Sequence, residues 1–144
     1  AMSATIDELL QSAEYILASG NLPVVLCERG IRTFETRVRN TLDLSAVAVL
    51  KSLTNLPVLV DPSHATGKRD YVRALSRAAI ACGADGLVIV SHCQPDKSVS
   101  DAAQAITPDT LKQIVLDTAA IYQALNLRDQ DKPVVSSCEP VVLR

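Results

Sequence analysis

Three short apolar runs, none with polar alternation, constrain the fold of this chain more than any other feature. They occupy residues 22–27, 56–60 and 86–90. Strands that are buried on both faces, as in parallel sheets, have this continuous apolar character. Helices that alternate with such strands predict an α/β fold with a parallel sheet. The segments with helical periodicity are residues 6–19, 44–53, 69–82 and 108–125.

Local signals mark the starts of two of these helices. Asp43 precedes the second helical segment and has a side chain suited to an N-cap. Thr107 precedes the last one, and Pro108 fits its first turn. Residues 61–67 and 91–107 are predicted as loops that leave the second and third strands.

Length and charge set the scale of the molecule and exclude several classes of partner. The chain has 144 residues and a formal net charge of −2. A complete eight-stranded β/α barrel needs about 250 residues, so we expect three to four βα units. The charge and the 3% aromatic content argue against a nucleic-acid partner. The apolar runs are too short for a membrane-spanning helix, which needs about 20 residues.

The cysteines indicate a reducing compartment. Cys27, Cys82, Cys93 and Cys138 form no C-x-x-C pair. The sequence does not start with the basic and then apolar stretch of an export signal. Free thiols without an export signal are typical of the cytoplasm, where we expect this protein.

Polar and titratable side chains follow each apolar run, where the carboxyl ends of parallel strands meet. Loops at this edge build the functional site in α/β folds. Arginine suits a phosphate or carboxylate, and histidine suits proton transfer. We therefore predict a site for a phosphorylated anion, with a metal ion as an optional addition. The candidate substrate-binding residues are Arg29, Arg32, Ser63 and Lys97, and the candidate catalytic residues are His64 and His92.

Some of these loop residues have simpler interpretations. Asp61 could only cap its own turn. Arg32, together with Arg37 and Arg39, could form a solvated loop face. Arg29 stands directly after an apolar run and before a glycine, which favours a functional role.

A long collinear series of motifs resembles one enzyme family, the 3-deoxy-7-phosphoheptulonate (DAHP) synthases of the microbial type I-beta class. The resemblance runs from about residue 9 to about residue 125. Its first motif is Cys27-Glu28-Arg29-Gly30, and its second is Asp61-Pro62-Ser63-His64. The full stretches that carry it are residues 26–35, 39–47, 60–70 and 76–79.

The resemblance implies a TIM-barrel aldolase-like transferase that joins phosphoenolpyruvate to erythrose 4-phosphate, which opens the shikimate pathway to aromatic amino acids. It implies that Arg29 contacts the phosphate of phosphoenolpyruvate. It also implies a divalent metal (Mn, Fe, Co or Zn) held by an early Cys, a His, a Glu and an Asp. The His corresponds to His64 and the Asp to Asp101.

The sequence departs from the family pattern at the metal site. Val90 stands where the family has the metal-binding Glu, and Cys93 and Ala102 replace a Pro and a Gly. A valine has no donor atom, so metal binding should be weakened. The early metal Cys and the catalytic Lys of the family have no counterpart here. We therefore expect impaired or altered DAHP synthase activity and leave open whether the chain is an enzyme.

Two alternatives to the family reaction remain. One is a non-catalytic relative with a regulatory, scaffold or phospho-ligand-binding role. The other is a new reaction on the remaining pocket, with His64, His92 or Cys93 as acid, base or nucleophile.

The resemblance covers about three of eight barrel strands, which predicts assembly. We expect a partial TIM barrel at residues 1–125 that is completed by oligomerisation, either as a homodimer or with a partner that supplies the remaining strands. Residues 126–144 are predicted as a C-terminal tail, an edge strand or a partner-binding arm. Its two β-prone pieces are residues 132–135 and 140–143.

Overall fold

The computed structural model describes residues 4–20 and 23–129. These residues form helices that alternate with short strands, in the predicted order. The helices are α1 (Ile6–Ala18), α2 (Leu44–Leu53), α3 (Pro62–Thr66), α4 (Arg69–Ala81) and α5 (Pro108–Asp129). The strands are β1 (Leu26–Glu28), β2 (Val58–Val60) and β3 (Gly86–Leu87), and a 3₁₀ turn spans Pro95–Lys97.

The strands form one parallel sheet in the order β1-β2-β3. Cys27 pairs with Leu59, and Leu59 pairs with Gly86. The carboxyl ends of the strands therefore lie at one edge, and the loops after them share that edge. This architecture confirms the α/β prediction.

One face of the sheet packs against the helices, and the other face is partly exposed, which differs from the prediction of strands buried on both faces. Leu26, Val58 and Val60 belong to a buried core with residues of α2 and α4. Side chains alternate between the two faces of a strand. Val25 and Val88 thus lie on the opposite face, and they are 50% and 39% exposed.

Local capping chemistry sets the helix starts, as the sequence predicts. The Asp43 carboxylate accepts a hydrogen bond from the Ala46 amide at 3.2 Å. The Thr107 hydroxyl accepts one from the Thr110 amide, also at 3.2 Å.

No helix among the described residues is both long and apolar enough to cross a membrane.

The strands are shorter than the apolar runs at residues 22–27, 56–60 and 86–90 predict, since they span only Leu26–Glu28, Val58–Val60 and Gly86–Leu87. Two helical boundaries also differ from the predictions. The expected loop at residues 61–67 contains the short helix α3, which Asp61 caps through the His64 amide and which ends at Gly67 with φ +66°. Its five residues are too few to show helical periodicity. The last helix continues to Asp129 rather than ending near residue 125. The β-prone pieces predicted at 132–135 and 140–143 lie outside the described residues, and the division after residue 125 stays a prediction.

Candidate functional site

The site is built around the buried carboxylate of Asp61, the first residue after β2. Its Oδ2 accepts a hydrogen bond from Arg29 Nε at 3.0 Å and lies 2.8 Å from His64 Nδ1. Its side chain is only 1% exposed. A buried carboxylate needs such partners because burial without them is costly. Asp61 thus connects the first loop to the second.

Arg29 keeps part of its guanidinium group available. Its Nε is bound to Asp61, while half of its side chain surface is exposed. The ion pair orients the flat guanidinium at the carboxyl edge, where its outer nitrogens can donate to an anion.

The backbone around Arg29 is fixed by Glu28. The Glu28 Oε1 atom accepts hydrogen bonds from the amides of Gly30 at 2.7 Å and Asp43 at 2.9 Å. Gly30 has φ +88°, and a Cβ there would lie 3.0 Å from the Ala65 Cα. Glycine is therefore required where this loop packs against Ala65 of α3.

The third loop brings Asp101 to the other side of His64. Asp101 Oδ2 lies 3.7 Å from His64 Nε2, and Asp101 has a positive φ of +55°. The loop is anchored at its base by the Ile106 amide, which donates to the Val90 carbonyl at 3.0 Å. The imidazole of His64 thus lies between two carboxylates.

Ser63 joins the second loop to the third strand segment. It is fully buried, and its hydroxyl accepts a hydrogen bond from the Val90 amide at 3.1 Å. In this position the hydroxyl connects α3 to the segment that follows β3. Its assignment as a substrate-binding residue stays a prediction.

The other predicted site residues lie on the surrounding loops. Lys97 is exposed in the 3₁₀ turn, and Arg32 is exposed in the first loop. His92 Nδ1 lies 2.9 Å from the Gln94 carbonyl and 3.0 Å from the Gln94 amide, so the ring is engaged with its own turn. The structure therefore brings together Arg29 and His64 with Asp101, and leaves the other three at the rim.

Two of the three described thiols, those of Cys27 and Cys82, are held within the fold, and the third is exposed. Burial, and next the charge of Asp61, raises the pKa of the Cys27 thiol. The Cys82 thiol donates to the Leu44 carbonyl at 3.2 Å, and Cys93 is exposed. A thiol that stays protonated is a poor nucleophile and a poor metal ligand.

The donor atoms in the described part of the chain do not fit a complete metal site. No three His, Cys, Asp or Glu side chains among them converge in a way that could hold an ion. His64 and Asp101 supply two donors, and Val90 stands where a third would be expected. Divalent ions in proteins take four or more ligands.

The importance of Asp61 and Glu28 was missed by sequence reasoning, which assigned Asp61 at most a capping role. The available signal was position, since each acidic residue stands at the carboxyl end of an apolar run. The 32-residue separation between Arg29 and Asp61 hides their contact from any local pattern.

A parallel sheet in the order β1-β2-β3 with polar loops at its carboxyl edge is consistent with a segment of an α/β barrel protein. Residues 1–124 match the model of the DAHP synthetase I family, and the chain belongs to that family. It is 50% identical over 124 residues to the phospho-2-dehydro-3-deoxyheptonate aldolase of Thermotoga maritima, covering 86% of this chain and 37% of the relative. It is 27% identical over 128 residues to the 2-dehydro-3-deoxyphosphooctonate aldolase of Desulfosudis oleivorans, covering 81% and 45%.

Solved structures agree with this assignment. The crystal structure of the Thermotoga maritima DAHP synthase superposes with a TM-score of 0.83 at 50% identity, over 86% of this chain and 37% of that one. A truncated form of the same organism's 3-deoxy-D-arabino-heptulosonate 7-phosphate synthase gives a TM-score of 0.84, also at 50% identity, over 87% and 48%. The chain thus spans less than half the length of these relatives. The family resemblance and the partial TIM-barrel fold are confirmed.

Proposed function

We propose that this chain provides the phosphate-binding part of a DAHP-synthase-type aldolase site and binds phosphoenolpyruvate through Arg29. The observation that carries the proposal is the ion pair between Arg29 Nε and Asp61 Oδ2 at 3.0 Å. It holds the Nε atom of the guanidinium, while half of the Arg29 side-chain surface stays exposed. A planar fork held in this way suits a phosphate.

The neighbouring imidazole supports the same proposal. His64 is fixed at Nδ1 by Asp61 and lies beside Arg29 through that shared carboxylate. An oriented imidazole next to an anion site is suited to transferring a proton to or from a bound substrate. Condensation of phosphoenolpyruvate with erythrose 4-phosphate would additionally need the groups that the family supplies from its other barrel strands.

We place this function in the cytoplasm.

Calorimetric titration of the 144-residue chain with phosphoenolpyruvate tests the proposal. We expect saturable binding that Arg29→Ala weakens roughly tenfold to a hundredfold, the value of one charge-assisted hydrogen bond or more. Arg37→Ala is the matched control because it removes the same charge from an exposed position of the same loop. Equal losses in the two variants would show that only general charge matters, and no binding by the wild type would refute the proposal.

A second candidate is a phospho-ligand-binding relative without catalysis, and Val90 favours it. A coupled assay with both substrates and added Mn²⁺ distinguishes the two. We expect the chain alone to form no DAHP while it still binds phosphoenolpyruvate. Turnover at rates typical of the family would instead establish a working enzyme. Consumption of phosphoenolpyruvate without DAHP formation would point to a new reaction.

We further propose that a second copy covers the partly exposed face of the sheet when the chain is studied alone. Val25 and Val88 expose apolar surface there, beside Leu59 of the central strand. Exposed apolar faces and open strand edges favour association. Light scattering should give about twice the 15.4 kDa mass of one chain. A stable monomer at micromolar concentration would contradict the homodimer and favour a partner that supplies the remaining strands.

A further inference from the structure

The side chains around His64 that could bind a metal ion are too few, and residue 90 is the position where the family has a further ligand. His64 Nε2 and Asp101 Oδ2 are 3.7 Å apart at the open edge. The His64 Nδ1 atom is already engaged by Asp61, and Asp61 is also bound to Arg29. Asp61 is therefore not free to act as a ligand, and two donors remain.

Residue 90 lies next to the short helix that carries His64. Leu87 and Ile89 pack against the helix-side core. Because side chains alternate, Val88 and Val90 lie on the opposite face. The Val90 amide donates to Ser63 Oγ at 3.1 Å, which places residue 90 beside the residue that precedes His64.

The backbone at residue 90 cannot easily shift to present another donor. Its amide is bound to Ser63, and its carbonyl accepts a hydrogen bond from the Ile106 amide at 3.0 Å. The next side chain on the same face, His92, is engaged with the turn at Gln94. The backbone of residue 90 is thus held at both its amide and its carbonyl, beside the helix turn that carries His64.

We propose that residue 90 decides whether this edge takes up a divalent cation, and that with valine the site does not retain one. His64 then serves as an imidazole flanked by two carboxylates rather than as a metal ligand. A carboxylate at position 90 would add a third donor to His64 Nε2 and Asp101 Oδ2. This inference concerns the same site as the proposed function but does not depend on phosphate binding.

Mn²⁺ binding, followed by the loss of the electron paramagnetic resonance signal of the free ion, tests this inference on the full chain. We expect the wild type to bind Mn²⁺ no better than His64→Ala. Val90→Glu should bind at least about tenfold more tightly, an effect as large as that of an outer-shell partner in a metal site. The gain should disappear in the double variant with His64→Ala.

Two further variants keep the test decisive. Val88→Glu adds the same charge on the same face of the strand, one alternation earlier, and should give no gain. Val90→Asp serves as a second carboxylate variant if the longer side chain disturbs folding. Binding by the wild type that depends on His64, or the absence of a gain in both carboxylate variants, would overturn the inference. Neither outcome would affect the titration with phosphoenolpyruvate, so the two proposals fail separately.

Discussion

Asp61 and His64 are joined at two places. One carboxylate oxygen accepts the His64 backbone amide at 2.9 Å, and the other lies 2.8 Å from Nδ1 of the ring. The same side chain therefore starts α3 and orients the imidazole. Because the carboxylate accepts, the Nδ1 atom carries the proton and Nε2 faces the open edge. The position of the ring follows from the helix cap.

Asp61→Asn should weaken both the fold and the anion site. The amide keeps the size of the side chain but presents N–H groups to donors, so a buried hydrogen bond is lost at a cost of about 1–3 kcal/mol in the free energy of unfolding. Urea denaturation measures this loss, and calorimetry should show weaker phosphoenolpyruvate binding. Asp96→Asn removes an exposed ion pair with Arg69 and should change stability by less than about 0.5 kcal/mol. Similar effects in the two variants would contradict the central role of Asp61.

Gly30→Ala should be much more destabilising than Gly83→Ala. Both glycines have positive φ, +88° and +100°, so both substitutions cause backbone strain. Only at Gly30 would the new Cβ meet neighbours, 2.8 Å from the Asn40 Cβ. We expect an additional loss of about 1–3 kcal/mol from this overpacking, measured by thermal or urea unfolding. Equal losses would mean that the first loop can move away from α3.

Protonation of Asp85 should lower the free energy of unfolding at acid pH. Burial alone would raise the pKa of Asp85, but hydrogen bonds from Lys51 and from the Val58 amide outweigh it and hold the pKa below its usual value. A depressed pKa stabilises the fold above the unfolded-state pKa of about 3.9 and loses that contribution as pH falls through the folded-state value. Asp85→Asn should therefore reduce stability at pH 7 by about 1 kcal/mol or less, since the group is partly exposed.

The difference between wild type and Asp85→Asn should narrow as the pH falls below about 4. Urea denaturation at a series of pH values measures it. A difference that stays constant down to acid pH would show that the carboxylate charge is not responsible.

Cys27 should react with thiol reagents much more slowly than Cys93. Its thiol is half-buried and has a raised pKa, whereas Cys93 is exposed. Since the thiolate is the reactive form, both burial and the pKa slow modification. Mass spectrometry after timed alkylation, in a Cys138→Ser background, identifies the modified residue. Rapid labelling of Cys27 would indicate that the first strand opens readily.

The elements with long periodic patterns could be predicted from the sequence. Residue type alone indicates the helix caps at Asp43 and Thr107. The alternation of helices with apolar runs indicates the parallel sheet. The short helix α3 could not, because five residues do not establish a period.

The sequence singles out residues of the candidate site but does not show how they contact one another. Arg29 and His64 stand out by position after apolar runs, and the family resemblance adds Asp101. Their geometry depends on Asp61, which reaches Arg29 across 32 residues. The closeness of Asp101 to His64 likewise requires the third loop to fold back. Such long-range contacts are set by the packing of the loops and leave no local signal.

The order β1-β2-β3 has a consequence for how this chain opens. Strands that are neighbours in the sheet are also successive in the sequence. Each pairing therefore closes a loop of one βα unit, and the two pairings have similar loop-closure entropies. In such a sheet an outer strand can unfold locally while the central strand stays paired with the other one. Within the described sheet, β2 has a strand on both sides, and Val58 and Val60 are fully buried. Its amides should therefore be the last to exchange with deuterium, which would make the central strand the most persistent part of the native state.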